Sequence, residues 1–179
     1  LMTYGIDWLR RLAPKKIERI SLLQGDTGPV NFMFDGDRVS ALFDFEWGHL
    51  GDPMEDLGNV CVREFWNPSG GLDGLLKRYE EKSGIKVDVA SVMYYRVQQQ
   101  MRGMVGIHKV TLEGDPHEPL AWYLAYRYVG DRATCEAISE AMGIAIDIPA
   151  FPKEDPKRDP LALAASWALK HDIEPAVNN

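Results

Sequence analysis

Residues 22–57 read LLQGDTGPVNFMFDGDRVSALFDFEWGHLGDPMEDL, and the fold turns on how this stretch is read. Leu22-Leu23 leads into Gly25-Asp26, and Asn31 follows five residues after Asp26. Asn31 to Phe34 reads as a short strand, Asp35-Gly36 as a tight turn, and Arg38 to Phe43 as the returning strand. Asp44 and Glu46 stand at the exit of that second strand. A hairpin of this size sets the loop holding Asp26 and Asn31 beside the end of the second strand. Asp26, Asn31 and Asp44 are therefore expected to converge.

Three convergent oxygen side chains suit phosphoryl transfer. A hard divalent cation such as magnesium takes oxygen ligands, and Asn31 and Asp44 offer an amide carbonyl and a carboxylate. Asp26 would accept the proton of an attacking hydroxyl. The D-x-x-x-x-N spacing of Asp26 and Asn31 matches the catalytic loop of protein kinases, and Asp44-Phe45-Glu46 stands where their metal-binding D-F-G stands. The continuation Gly51-Asp52-Pro53…Asp56-Leu57 makes the pattern more specific than spacing alone.

With that continuation the stretch resembles the aminoglycoside phosphotransferase and choline kinase-like family, whose C-terminal lobe carries H-G-D-x-x-x-x-N, then D-[FW]-E, then G-D-P-x-x-D-L. The resemblance implies Asp26 as catalytic base and Asn31 and Asp44 as magnesium ligands, with ATP as phosphoryl donor. It makes Asp52 and Asp56 structural and gives Glu46 a supporting place. Gln24 departs from the family pattern, where a histidine stands; its amide both donates and accepts, as that histidine would. The implied fold is α+β and mainly α: the C-terminal lobe of a protein kinase-like fold, with a small β-hairpin carrying the catalytic loop. A complete kinase of this kind also has a glycine-rich loop and a Val-Ala-x-Lys strand. Neither precedes Asp26, so the 179 residues are expected to form the catalytic, substrate-binding lobe without the N-terminal nucleotide-binding lobe.

Composition narrows the alternatives. A chain of 179 residues, 45% hydrophobic and 26% charged, is long enough for one globular domain with a real core. Its 20 basic and 27 acidic residues leave a net charge of −7, which argues against a nucleic-acid partner. No apolar run reaches the length of a membrane span, and no leader pattern stands at the start. Cys61 and Cys135 lie far apart without a C-x-x-C, as reduced, buried thiols would in a cytoplasmic protein.

Outside the central stretch the periodicity predicts helices. Met2 to Leu12 has Ile6, Leu9 and Leu12 on one face; Asp52-Pro53 starts a helix with Met54, Leu57, Val60 and Cys61 inward. Leu72 to Lys82 precedes a capping Gly84, and Asp88 caps a helix through His108 with Val92, Tyr95, Met101, Met104, Val105 and His108 buried. Pro119 to Met142 and Leu161 to His171 complete the set, the latter behind a proline-rich connector from Ile146 to Arg158. Trp47 to Gly51 reads as a loop wrapping the site. Within it His49 reads as a loop hydrogen-bonder ahead of a metal or base role, since no second histidine stands at ligand spacing. Trp122, Tyr123, Tyr126 and Tyr128 fit a cation–π cradle for an amine, but core packing is the favoured reading. Arg96 and Arg102 are in reach of a phosphate, with ion pairing the commoner outcome for such residues.

The leading function is Mg²⁺- and ATP-dependent phosphoryl transfer to a hydroxyl of a small molecule. Acid around the site favours a cationic acceptor such as an aminoglycoside, choline or an amino-alcohol. The alternatives are a non-catalytic pseudokinase or binding module, favoured by Gln24 and the missing lobe, and a metal-dependent hydrolase using Asp26, Asp44, Glu46 and His49. The intact order of the chemistry-bearing positions ranks the kinase first.

Overall fold

The computed structural model describes residues 1–66, 71–114 and 119–147. The chain divides into two compact units, Leu1–Ile146 and Asp147–Asn179. Beyond Asp147 the second unit lies outside the described residues, and with it the helix expected over 161–171 and most of the proline-rich connector.

The first unit is mainly helical, with two small antiparallel sheets. Helices α1 (Met2–Leu12), α2 (Pro53–Trp66), α3 (Leu72–Ser83), α4 (Val89–Glu113) and α5 (Leu120–Met142) match the predicted elements to within a few residues. The stops and starts have local causes. The Asp88 carboxylate accepts from the Ala90 N–H at 3.1 Å, and Asp52 does the same for Met54 at 3.0 Å. Each side-chain oxygen satisfies one of the N–H groups a helix start leaves open. Gly84 and Gly143 close α3 and α5 in the left-handed conformation.

Helix α4 is the centre of the unit. Met54, Leu57 and Cys61 of α2 pack with Val92 and Tyr95 of α4, and α3 leans on this cluster through Leu72, Leu76 and Tyr79. On another face of α4, Val97 and Met101 meet Trp8 of α1 and Ala137 and Ile138 of α5. The α2–α4 crossing is close because of Gly58. A Cβ there would lie 2.7 Å from the Arg96 backbone nitrogen, so only glycine lets the two backbones approach so nearly. Cys61 and Cys135 are free thiols, and burial pushes Cys61 up to about 11, as expected of inert packing residues.

Several apolar faces differ from expectation. In α1 the buried residues are Gly5 and Trp8, while Ile6 and Leu12 are exposed. Trp8 decides this: its ring stacks on Tyr94 at 5.9 Å, and so large an apolar surface outweighs the smaller side chains one face over. Val105 is exposed too, and His108 pairs with Asp131 at 2.7 Å. Arg96 is ion-paired with Glu140, as the commoner outcome for such arginines would have it. The aromatics of α5 are not core residues. Trp122 and Tyr128 are exposed, and Trp122 stacks on Tyr126 at 5.0 Å instead.

The hairpin forms where the sequence places it: β2 (Phe32–Asp35) pairs with β3 (Arg38–Leu42) in antiparallel register, with a bulge after Met33. Asn31 ends a short 3-10 turn, Pro29–Asn31, rather than opening the strand. A second pairing was not anticipated. β1 (Ser21–Leu23) pairs with β4 (His49–Gly51), so the segment expected to be loop is partly strand. The three ladder residues are too few to show a period of two in the sequence.

Candidate active site

The loop after β1 is built by its neighbours' side chains. Leu23 is buried, and Gly25 takes a left-handed φ of +83°. A Cβ at Gly25 would stand 2.8 Å from the Trp47 carbonyl carbon, so a side chain there meets backbone rather than space. The turn aims two consecutive N–H groups, of Gln24 and Gly25, at the Asp56 carboxylate, one to each oxygen at 2.9 Å. Asp56 thus anchors the loop from the first turn of α2.

Gln24 ties the same loop to the hairpin. Its Nε2 donates to the carbonyls of Phe43 at 3.0 Å and Asp44 at 2.8 Å, and its Oε1 accepts from the Asp26 N–H at 2.8 Å. A side chain with both a donor and an acceptor is required for this bridge, and an amide supplies both. The departure from histidine therefore leaves the loop connected to the strand exit. The Phe43 N–H adds a bond to the Asn31 carbonyl at 3.1 Å.

Asp26 and Asn31 are in direct contact. The Asn31 amide donates to the Asp26 backbone carbonyl at 2.9 Å and to its Oδ2 at 3.0 Å, leaving the Asn31 Oδ1 as an acceptor. Arg63, in the last turn of α2, donates to Asp26 Oδ1. Its aliphatic stem lies against Gly28, where a Cβ would come within 3.1 Å of Arg63 Cγ. Arg63 and Asp56 are seven residues apart, about two helical turns, so one face of α2 serves both ends of the loop.

Asp44 and Glu46 are exposed at the strand exit. Asp44 is the one non-glycine residue with positive φ among the described residues, at 61°. For an L residue that conformation costs about 1–2 kcal/mol, least for Asp or Asn, and it is kept here by the two carbonyl contacts to Gln24. Through Gln24 the Asp44 backbone is thus two hydrogen bonds from that of Asp26.

A second polar cluster supports the loop from the other side. His49 Nδ1–H donates to the Trp47 carbonyl at 3.0 Å, and Nε2 faces Glu55 at 3.2 Å. The Trp47 bond, with Glu55 adding, raises the His49 pKa above its ordinary value against a smaller opposing effect of burial. Glu55 is buried and also accepts from Gln99 at 2.9 Å. Arg102 of α4 donates to the Gly25 carbonyl, lies 4.1 Å above the Trp47 ring and comes within 4.0 Å of Glu55. Burial pulls the Arg102 pKa down from its usual value.

A profile of the phosphotransferase enzyme family matches residues 4–93, half of the chain. The chain belongs to the phosphotransferase enzyme family. No curated protein and no solved structure matches it. The matched span holds the whole of the loop, the hairpin and α2, while most of α4 and all of α5 lie beyond it. Of the residues singled out from sequence, Asp26, Asn31 and Gln24 share one hydrogen-bonded loop, and Asp52 is a helix cap. His49 sits with Trp47 and Glu55 and makes no bond to Asp26. Arg63 and Glu55 were missed. Their spacing from Asp56 and Asp52 carries a helical period, but nothing in it reveals the loop as their target.

The donor set suits a hard divalent cation. Asn31 Oδ1 and the Asp44 carboxylate are oxygen donors, and among the described residues no group of three or more His, Cys, Asp or Glu could hold a metal unaided. Magnesium sites that borrow phosphate oxygens and water need only one or two protein ligands.

Proposed function

We propose that this chain is the catalytic, substrate-binding lobe of a kinase-like phosphotransferase, moving the γ-phosphoryl group of ATP to a hydroxyl of a small molecule in a magnesium-dependent reaction. The observation that carries the reading is the hydrogen-bonded Asp26–Asn31 pair, joined through Gln24 to the backbone of Asp44.

Asp26 orients the acceptor hydroxyl and takes its proton. Each carboxylate oxygen has two lone pairs, so the bonds from Arg63 and Asn31 leave room for a third donor. Those same bonds hold the carboxylate in one orientation, which matters because positioning supplies most of the catalysis in phosphoryl transfer. Asn31 Oδ1 and the Asp44 carboxylate would hold magnesium, which when bound offsets charge on the phosphates. The lysine and glycine-rich loop that grip those phosphates in complete kinases are not within these 179 residues. The acid around the loop favours an amine-bearing alcohol as acceptor.

The test is steady-state ADP release by the full-length protein over a panel of amino-alcohols and aminoglycosides and a magnesium series. Asp26→Asn should lower kcat by about 10²–10⁴-fold with the KM for ATP little changed. Asp44→Ala should raise the magnesium requirement, and His49→Ala should do much less than either. Near-normal turnover in Asp26→Asn together with loss of activity in His49→Ala would overturn the assignment and move a hydrolase to first place.

A further inference from the structure

A cleft of about 500 Å³ opens between β1, α2 and α3, and none of Asp26, Asn31 or Asp44 lines it. Its floor is apolar, formed by Leu23, Leu57, Leu76 and Tyr79. Volumes of this order hold a small organic ligand. Its rim carries Arg78 and Lys82, one turn apart on α3, both exposed and neither in an ion pair among the described residues. The carboxylate in the wall is Asp56, whose two oxygens are already taken by the N–H groups of Gln24 and Gly25. Those neutral N–H donors hold the Asp56 carboxylate without cancelling its charge, so Arg78 and Lys82 against Asp56 leave the lining with a net charge of +1.

We infer that this cleft is a binding site for an amphiphilic organic anion, an apolar chain ending in a carboxylate, with the chain along Leu57 and Leu76 and the anionic end at Arg78 and Lys82. The apolar floor selects the chain, and the unpaired cations select the charge. A neutral amphiphile would leave both cations unused, and a cationic one would be repelled. The site stands whether or not the chain transfers phosphoryl groups. It touches the loop at Thr27 and the loop's α2 anchor at Asp56, so occupancy would be felt one residue from Asp26.

Calorimetric titration of the full-length protein with decanoate, decanol and decyltrimethylammonium tests this directly. Decanoate should bind about tenfold or more tightly than the ammonium amphiphile, the reach of two partly solvated charge contacts. The double variant Arg78→Glu/Lys82→Glu, confined to exposed positions, should reverse that order. Val60→Trp, which fills the cleft from α2, should abolish binding of all three, with circular dichroism reporting on folding. Equal affinity for decanoate and decyltrimethylammonium, an unchanged order in the double variant, or no decanoate binding at all would each overturn the inference.

Discussion

Replacing Asp56 by alanine should destabilise this protein more than the loss of a half-exposed carboxylate ordinarily does. The two N–H groups it receives, from Gln24 and Gly25, belong to buried residues and stand 2.9 Å from separate oxygens. Bonds to a charged acceptor contribute about 1.5–3 kcal/mol each, and a buried N–H left without a partner costs about 1–3 kcal/mol. Asp56 itself is only partly buried, so water can enter the vacated space and relieve part of the penalty. The expected loss is then about 2–4 kcal/mol, set against a total stability of roughly 5–15 kcal/mol. With a urea m-value of ~2 kcal/mol/M, the midpoint of unfolding should fall by about 1–2 M at unchanged slope. Asp56→Asn keeps one acceptor oxygen and should fall between. Amide hydrogen exchange gives a residue-level check, since the Gln24 and Gly25 amides should lose protection first. A midpoint shift of less than ~0.3 M for the alanine variant would place Asp56 among ordinary surface positions and refute the anchoring argument.

Gly25→Ala should cost at least ~2 kcal/mol, adding the left-handed penalty of an L residue to a contact with the Trp47 backbone that only loop movement can relieve, as urea denaturation would register. Arg63→Met keeps the stem packed on Gly28 but removes the donor to Asp26, so stability should fall by only about 1 kcal/mol. In the full-length protein the same variant should lower kcat at near-constant KM for ATP, with Arg63→Lys partly restoring it; unchanged kcat would remove Arg63 from the positioning role. The His49 pKa is raised in the folded state, so its stabilising contribution is fully present below the ordinary value of 6.5 and is lost as pH rises through the folded value. The stability gap between wild type and His49→Asn should therefore shrink as pH rises from below 6.5 through the raised folded value, and a gap that widened would contradict the sign.

What the amino-acid sequence determined by itself is the part of this protein whose causes are local. The Asp35-Gly36 turn, the Asp52 and Asp88 caps and the Gly84 stop each depend on residues within a few positions, and all four stand where they were read. The contact of Asp26 with Asn31 is also local, five residues apart in one loop. The sequence-distant contacts were decided by tertiary structure. Asp56 reaches back 31 and 32 residues, Arg63 reaches 37 and Arg102 reaches 77, each to the run Gln24, Gly25 and Asp26 of that loop. A helical period shows that α2 and α4 each have a buried face, yet not which backbone group their polar residues will meet. That follows from how the helices cross, and the crossing depends on Gly58 admitting the α4 backbone. The inward face of α1 and the exposed aromatics of α5 were misread for the same reason: burial belongs to a packed pair of surfaces, and a single strip of sequence carries only one of them.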